Sequence, residues 1–207
     1  MIPLGGERGK RIKGVLFDLD GTLTFPGALD FPAIKREIAC PNDIPILEYL
    51  ETLPLDRKVP LFKILESKEV EAAAQSYPNT GAEKCLAALK ERGLLLGIIT
   101  RNSIESVRLA LEKFRGVALE DFATIITRED FPPKPHPEGV HQAAKSMGLS
   151  TSELLVVGDF RFDVMAGKAA GALTVLLTNK KKPALDPGDP VPDYTIGYLE
   201  EILELTA

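Results

Sequence analysis

The sequence predicts an α/β protein: a Rossmann-like parallel sheet with helices on both faces, plus a small all-helical cap inserted after the first strand. Three observations carry this. Residues 13–24 (KGVLFDLDGTLT) form an apolar strand that delivers two acids, Asp18 and Asp20, into a Gly-Thr turn. From Thr80 onward strand-like and helix-like patterns alternate regularly, which means parallel strands covered on both faces by helices. Between these regions, residues 25–79 carry helical patterns and no convincing strand.

Residues 32–39, 45–53 and 60–76 have helical spacing. About 55 residues of helical segment are too many for a single crossover, which needs about 12. They read as a cap standing over the sheet end that carries Asp18; helices that thicken one face of the sheet are the other reading. Thr80 and Glu83 fit a capping box, followed by the stripe Ala82, Cys85, Leu86 and Leu89 and a stop at Gly93. Residues 94–100 read as a buried strand. Ser103 then caps a helix with the inner face Ile104, Val107, Leu111 and Phe114. A short strand at 122–127 leads into a Pro-rich loop through Pro137, then a helix to Met147 with Gly148 at its end. Strand 154–157, helix 162–170 and strand 173–177 follow. A loop rich in Pro and Asp (180–192) precedes a short strand near Tyr194 and a terminal helix, 199–205. The expected division is a core of 12–24 and 80–207 with a cap of 25–79.

A chain of 207 residues is long enough for one α/β core and a small accessory domain. Its 44% hydrophobic and 27% charged residues are ordinary for a soluble globular protein. The net charge of −5, with both signs interspersed, gives no electrostatic footprint for nucleic acid or a membrane surface. No apolar run reaches transmembrane length, and residues 1–11 carry Arg8, Lys10 and Arg11 without the apolar stretch of a signal peptide. Cys40 and Cys85 lack metal spacing and read as unpaired thiols of a reducing cytoplasm. The expected partner is a small soluble metabolite, with the chain a monomer or homodimer.

Two carboxylates as close as Asp18 and Asp20 repel unless a cation lies between them or one holds a proton. This points to a Mg²⁺ site with a nucleophilic acid beside a general acid/base. Further chemistry sits past other strands: Thr100, Lys134 in a loop, and Asp159 with Asp163. In a parallel sheet these ends converge at one edge. The set is complete for phosphoryl transfer: an attacking carboxylate, a hydroxyl and an ammonium for the phosphoryl oxygens, an acid for the metal, and a proton donor.

With those residues placed, the chain resembles the haloacid dehalogenase superfamily. Its four motifs occur in order: Asp18-Leu19-Asp20-Gly21-Thr22, then Thr100, then Lys134 between two prolines, then Gly158-Asp159-Phe160-Arg161-Phe162-Asp163. The resemblance spans about residues 12–178 and fits the type with a helical cap between the first two motifs, as in phosphoglycolate phosphatases. It implies that Asp18 forms an aspartyl phosphate, and that Asp20 is the general acid/base and binds Mg²⁺ through its main-chain oxygen. Asp159 is implied as the other protein metal ligand, with Asp163 behind it or linked through water. Thr100 is implied to donate to the phosphate with main-chain N–H groups of Arg101 or Asn102, and Lys134 to offset charge on the phosphate and Asp18. Because dehalogenases of this superfamily use a lone first Asp and phosphonate-cleaving members have a small residue at position 20, Asp20 implies a phosphatase or phosphotransferase. The implied function is a Mg²⁺-dependent phosphomonoester hydrolase of a small metabolite, with a phosphomutase using the same intermediate as the alternative. Receiver-like signalling domains share the residue types but are much shorter and lack a cap.

Several side chains have two readings. Asp163 serves the metal or caps its helix. Arg101 departs from the small or amide residue common after the second-motif hydroxyl, and reaches a substrate anion or pairs with a surface acid; Arg161 has the same choice. His136, flanked by prolines, and His141 read as structural or exposed. Lys35, Arg36, Arg57 and Lys63 read as a solvated face of the cap helices.

Overall fold

A run of bulky apolar residues with no polar partner in the alternation must be covered on both sides. The computed structural model, which describes residues 12–206, covers it that way. The reading of Arg8, Lys10 and Arg11 lies outside the described residues. Six strands form one sheet: β1 (Gly14–Phe17), β2 (Leu95–Ile99), β3 (Thr124–Ile126), β4 (Leu154–Gly158), β5 (Leu173–Leu177) and β6 (Tyr194–Ile196). Every neighbouring pair is parallel, in the order β3-β2-β1-β4-β5-β6. The chain therefore builds outward from β1 to β3, then crosses back and builds outward from β4 to β6. Ligands of open parallel sheets gather at such a switch point, outside the carboxyl ends of the strands. Here that point lies between β1 and β4, which are followed directly by Asp18 and Asp159.

The helices are α1 (Phe31–Glu37), α2 (Ile46–Glu51), α3 (Leu55–Gln75), α4 (Ala82–Glu91), α5 (Ile104–Leu111), α6 (Glu138–Ser146), α7 (Arg161–Ala170) and α8 (Ile202–Leu205). Alternate strand residues point to opposite faces, and the two cores follow that period. Val15 and Phe17 join Cys85, Leu86 and Leu89 of α4 and Val107 and Leu111 of α5 on one face. Leu16 and Val156 join Val140, Ala143 and Ala166 of α6 and α7 on the other. The helices before the second strand have a core of their own, built from Ile34, Ile38, Cys40, Ile46, Leu50 and Leu65. Asp30 starts α1 by accepting from the Ala33 N–H at 2.9 Å, and Ser103 starts α5 by accepting from the Ser106 N–H at 3.3 Å.

Some expectations change. Helix α3 begins five residues earlier than the Pro60 start and carries Pro60 inside it; proline removes one backbone bond there, yet the apolar stripe Leu61, Phe62 and Leu65 still packs as one face. The Thr80–Glu83 capping box does not form. Gly81, in the left-handed region, precedes α4 instead, and Glu83 accepts from the Arg115 N–H at 2.6 Å. Ile104, the first residue of α5, is exposed, and the buried side of the helix is Ser106, Val107, Ala110 and Leu111. Strand β3 is shorter than 122–127. The chain end starts as a tight turn at Leu199–Glu201 before the short α8.

Leu50 is fully buried in the helical cluster. Leu50→Ala is expected to cost about 2–5 kcal/mol. Hydrogen exchange should show faster exchange in α1–α3 and little change in β1, β2 and β4.

Candidate active site

A strand ends where its apolar run meets residues that cannot be buried unpaired. At the end of β1 the chain makes a wide turn at Leu19–Leu23, closed by a 2.9 Å bond from the Thr24 N–H to the Leu19 carbonyl. The turn needs Gly21 in the left-handed region, at φ 76°. A methyl group at Gly21 would overlap the Asp159 carboxylate, and one at Gly158 would overlap Asp163. These two glycines let the acids of the fourth motif close on the turn of the first.

The acids converge. One oxygen from each of Asp18, Asp159 and Asp163 lies within 4.8 Å of the other two. Lys134 Nζ is buried among them, donating to Asp18 Oδ1 at 2.5 Å, Asp163 Oδ1 at 2.6 Å and the Ile99 carbonyl at 2.7 Å. The other oxygen of Asp163 accepts from the Phe160 N–H at 3.1 Å, so Asp163 both starts α7 and faces the cluster. Thr100 is buried at the end of β2, its hydroxyl accepting from the Asn102 N–H at 3.1 Å. Asp20 turns its carboxylate to Asn102, whose Nδ2 donates to Oδ2 at 2.5 Å.

Electrostatics follow from burial. Desolvation pushes Asp159 up to about 8, with the Asp18 and Asp163 charges adding and Lys134 opposing. Desolvation likewise raises Asp18 to about 7 against the pull of Lys134, with Asp163 and Asp20 adding. Asp20 is raised by burial, while the Asn102 bond favours its ionised form. Burial alone would lower the Lys134 ammonium, but Asp163 and Asp18 outweigh it and hold it above the usual lysine range. Four carboxylates thus face one ammonium. A hard divalent cation bound by oxygen is what such a donor set fits, since it would return Asp18 and Asp159 to their charged forms.

Two arginines join this edge of the sheet to the helices of the insertion. The Arg101 guanidinium forms a fork with Glu48 of α2, at 2.9 and 2.6 Å. It also donates to the Lys134 carbonyl and lies 4.8 Å over the Phe162 ring. Arg128, after β3, bonds Glu69 of α3 at 2.5 Å and the Arg101 carbonyl at 3.1 Å. The side chains of Arg128 and Glu69 are only 4% and 5% exposed, against 20% and 39% for Arg101 and Glu48, so the first pair is the dry one. A cleft of about 1020 Å³ opens beside them, between α2, α3 and the loop after β3, with Leu47, Leu55, Phe62, Phe131 and Pro133 in its wall. None of the four acids lines it.

Against the sequence reading, Asp18, Asp159, Asp163 and Lys134 come together as a cluster, with Thr100 and Asp20 around it. Asn102 departs from its expected part: its N–H is occupied by Thr100 and its side chain holds Asp20. The Arg101 side chain pairs with an acid, but one from the insertion. Arg161 pairs with Asp186 and with Asp189 at 2.8 Å. His136 and His141 are exposed, as are Arg36, Arg57 and Lys63; Lys35 donates to the Asn42 carbonyl at 2.7 Å. Nothing local in the sequence marks Glu48, Glu69, Arg128, Asn79 or Asn179. Their partners lie 27 or more residues away or on segments with no motif.

Carboxylates, a buried ammonium and a hydroxyl thus meet at the carboxyl edge of a parallel sheet, the arrangement of an α/β enzyme that handles an anionic substrate. Residues 35–177 match the family model described as haloacid dehalogenase-like hydrolase. The chain is 34% identical to an uncharacterized hydrolase of Saccharomyces cerevisiae, over 99% of this chain and 96% of that one. It is 29% identical to pyrophosphatase PpaX of Bacillus velezensis, over 95% and 97%. To a phosphoglycolate phosphatase of Neisseria meningitidis it is 38% identical, over 62% of this chain and 54% of that one. A solved hydrolase of Pseudomonas syringae shares the fold, with a TM-score of 0.76 and 22% identity over 93% of this chain and 96% of that one. The chain belongs to the haloacid dehalogenase-like hydrolase family. Among the described residues no helix is long and apolar enough to cross a membrane.

Burial raises Glu69 to about 7 despite Arg128. A carboxyl whose folded pKa exceeds its unfolded value binds its proton more tightly when folded, so stability falls as pH rises between the two values. Relative to Glu69→Gln, the melting temperature of the unaltered protein should therefore fall between about pH 4.5 and 7 and be level above that range. Thermal melts of both proteins in chelator would show it.

Proposed function

We propose that the chain is a Mg²⁺-dependent phosphomonoester hydrolase of a small soluble metabolite, working through an aspartyl phosphate on Asp18. The observation that carries this is the buried Lys134 ammonium bonded to Asp18 and Asp163, with Asp159 in the same cluster. Relatives named as a pyrophosphatase and a phosphoglycolate phosphatase support phosphoryl chemistry on small substrates. The free buried thiols Cys40 and Cys85 support a reducing compartment, the cytoplasm.

In this reading Asp18 attacks phosphorus and the ester P–O bond breaks, while Asp20 gives its proton to the leaving oxygen. The Asp20 carboxylate then takes a proton from water as that water attacks phosphorus, and the acyl phosphate bond breaks to restore Asp18. One residue thus serves as acid and then as base. Lys134 neutralises both Asp18 and the phosphoryl oxygens throughout, and Thr100 holds one of those oxygens through its hydroxyl. The Arg101 N–H, which has no partner among the described residues, supplies a further donor. The carboxylates of Asp18 and Asp159 with the Asp20 carbonyl would hold Mg²⁺, and Asp163 would orient Lys134 from behind. The ion would supply charge neutralisation at the phosphoryl group.

Helices α1–α3 act as the cap of residues 25–79. Support comes from the separate apolar cluster of these helices and from the Arg101–Glu48 and Arg128–Glu69 pairs, which bring them over the motif loops. The dry pair anchors the cap, and the half-exposed fork at Arg101 closes it on the side where substrate enters.

The test is release of inorganic phosphate from 4-nitrophenyl phosphate and a panel of phosphorylated metabolites. Asp18→Asn should lower kcat by on the order of 10⁴-fold or more, and unchanged turnover would remove Asp18 as nucleophile. Chelation should abolish activity and added Mg²⁺ restore it. Asp159→Asn should raise the half-saturating Mg²⁺ concentration by about 10–100-fold, the scale on which metal-site support is felt.

A further inference from the structure

Three asparagines from three separate segments meet on the turn that follows β1. Asn102, past β2, donates its side-chain amide to Asp20 Oδ2 at 2.5 Å. Asn79, where the chain returns from the insertion, donates its amide to the Thr22 carbonyl at 2.9 Å, with a longer contact to the Gly21 carbonyl at 3.3 Å. Asn179, past β5, donates to the same Gly21 carbonyl at 2.8 Å and accepts from Asn79 at 3.0 Å. Asn79 and Asn102 are buried.

The backbone at Asn79 is fixed as well. Its N–H donates to the Leu23 carbonyl at 2.8 Å, Thr24 and Pro78 pair as an antiparallel bridge, and the Phe25 N–H donates to the Tyr77 carbonyl at 2.9 Å. The two passages between core and insertion thus run side by side, with the Asn79 amide at their inner end. Asn179 sits at φ 49°, a conformation that asparagine tolerates better than most residues.

We infer that Asn79, Asn102 and Asn179 are positioning residues that fix the aim of the Asp20 carboxylate, one through the carboxylate and two through the turn behind it. The inference rests on the proposed role of Asp20 as proton donor and acceptor. The Gly21 and Thr22 carbonyls are each held by one amide, and the two amides are bonded to each other, so neither peptide of the turn can rotate without breaking a bond of the pair. A carboxylate on a freely turning loop would meet the leaving oxygen only part of the time; a misplacement of 1 Å can cost about 100-fold in rate. Asn79 also ties this aim to the passages into the insertion, so the turn is set with the insertion in place.

The experiment uses the full chain with Mg²⁺ and compares kcat/KM for two substrates. 4-Nitrophenyl phosphate has a leaving group that departs without a proton, whereas glycerol phosphate needs one. Asn179→Gly keeps the left-handed backbone available and removes only the amide; Asn102→Ala and Asn79→Ala are measured beside it, and Asp20→Asn is the reference. Inhibition by inorganic phosphate and the melting temperature show that each variant is folded with its phosphate site intact. For a folded variant, kcat/KM for glycerol phosphate should fall about 10–100-fold and for 4-nitrophenyl phosphate less than about threefold, in the same sense as Asp20→Asn. An equal loss on both substrates, or none, with Asp20→Asn still selective, would overturn the positioning role alone. Loss of selectivity in Asp20→Asn itself would overturn the role of Asp20 and this inference with it. Should the buried variants fail to fold, Asn179→Gly decides.

Discussion

Placing several negative charges in a buried pocket is costly, because each loses its hydration and repels the others at short range. The described structure answers with one ammonium. Lys134 takes hydrogen bonds to two of the acids and to a strand-end carbonyl, which leaves no donor of its three unused. The positions of Asp18, Asp163 and the end of β2 are thereby set relative to each other by one atom. Asp159 has no such partner among the described residues, and burial with the Asp18 and Asp163 charges pushes it up to about 8. The imbalance makes the pocket receptive to a divalent cation.

The same edge explains why the insertion sits where it does. Arg101 follows Thr100 directly, and Arg128 follows β3 by two residues, so both guanidiniums project from the ends of core strands. Each takes its acid from a different helix of the insertion. Arg128 also stacks 4.9 Å over Phe62 of α3, adding apolar contact to the charge pair. A buried pair of this kind gives orientation more surely than net stability, because desolvation offsets much of the attraction.

Much of this was legible beforehand because the signals are local. Alternating apolar runs and turn residues located β1, β2, β4 and β5 to within a residue or two, and the short repeat of acids marked the strand ends that carry chemistry. What could not be read was set by distance. The sequence predicts a local cap at Glu83, yet a backbone N–H 32 residues on competes for it. Pro60 looked like a helix start, but the packing of Leu61, Phe62 and Leu65 carries the helix through it. The resemblance implies a main-chain donor at Arg101 or Asn102; the Asn102 N–H meets the Thr100 hydroxyl instead, which depends on the Thr100 rotamer and is encoded by no sequence pattern. The acids of the insertion that receive Arg101 and Arg128 stand among many surface glutamates of the same appearance.

The central position of β1 has a consequence for biosynthesis. One neighbour, β2, emerges from the ribosome about 80 residues after it, and the other, β4, about 140 residues after it. Until β2 has been made the apolar segment Gly14–Phe17 has two open edges, and until β4 has been made it has one; an unpaired strand edge of that kind is a template for wrong partners. The first residues of the pocket to be translated are therefore among the last to find their places. Contacts this far apart in sequence also make the closing step of folding slow, and during that interval the nascent chain depends on whatever shields its leading strand.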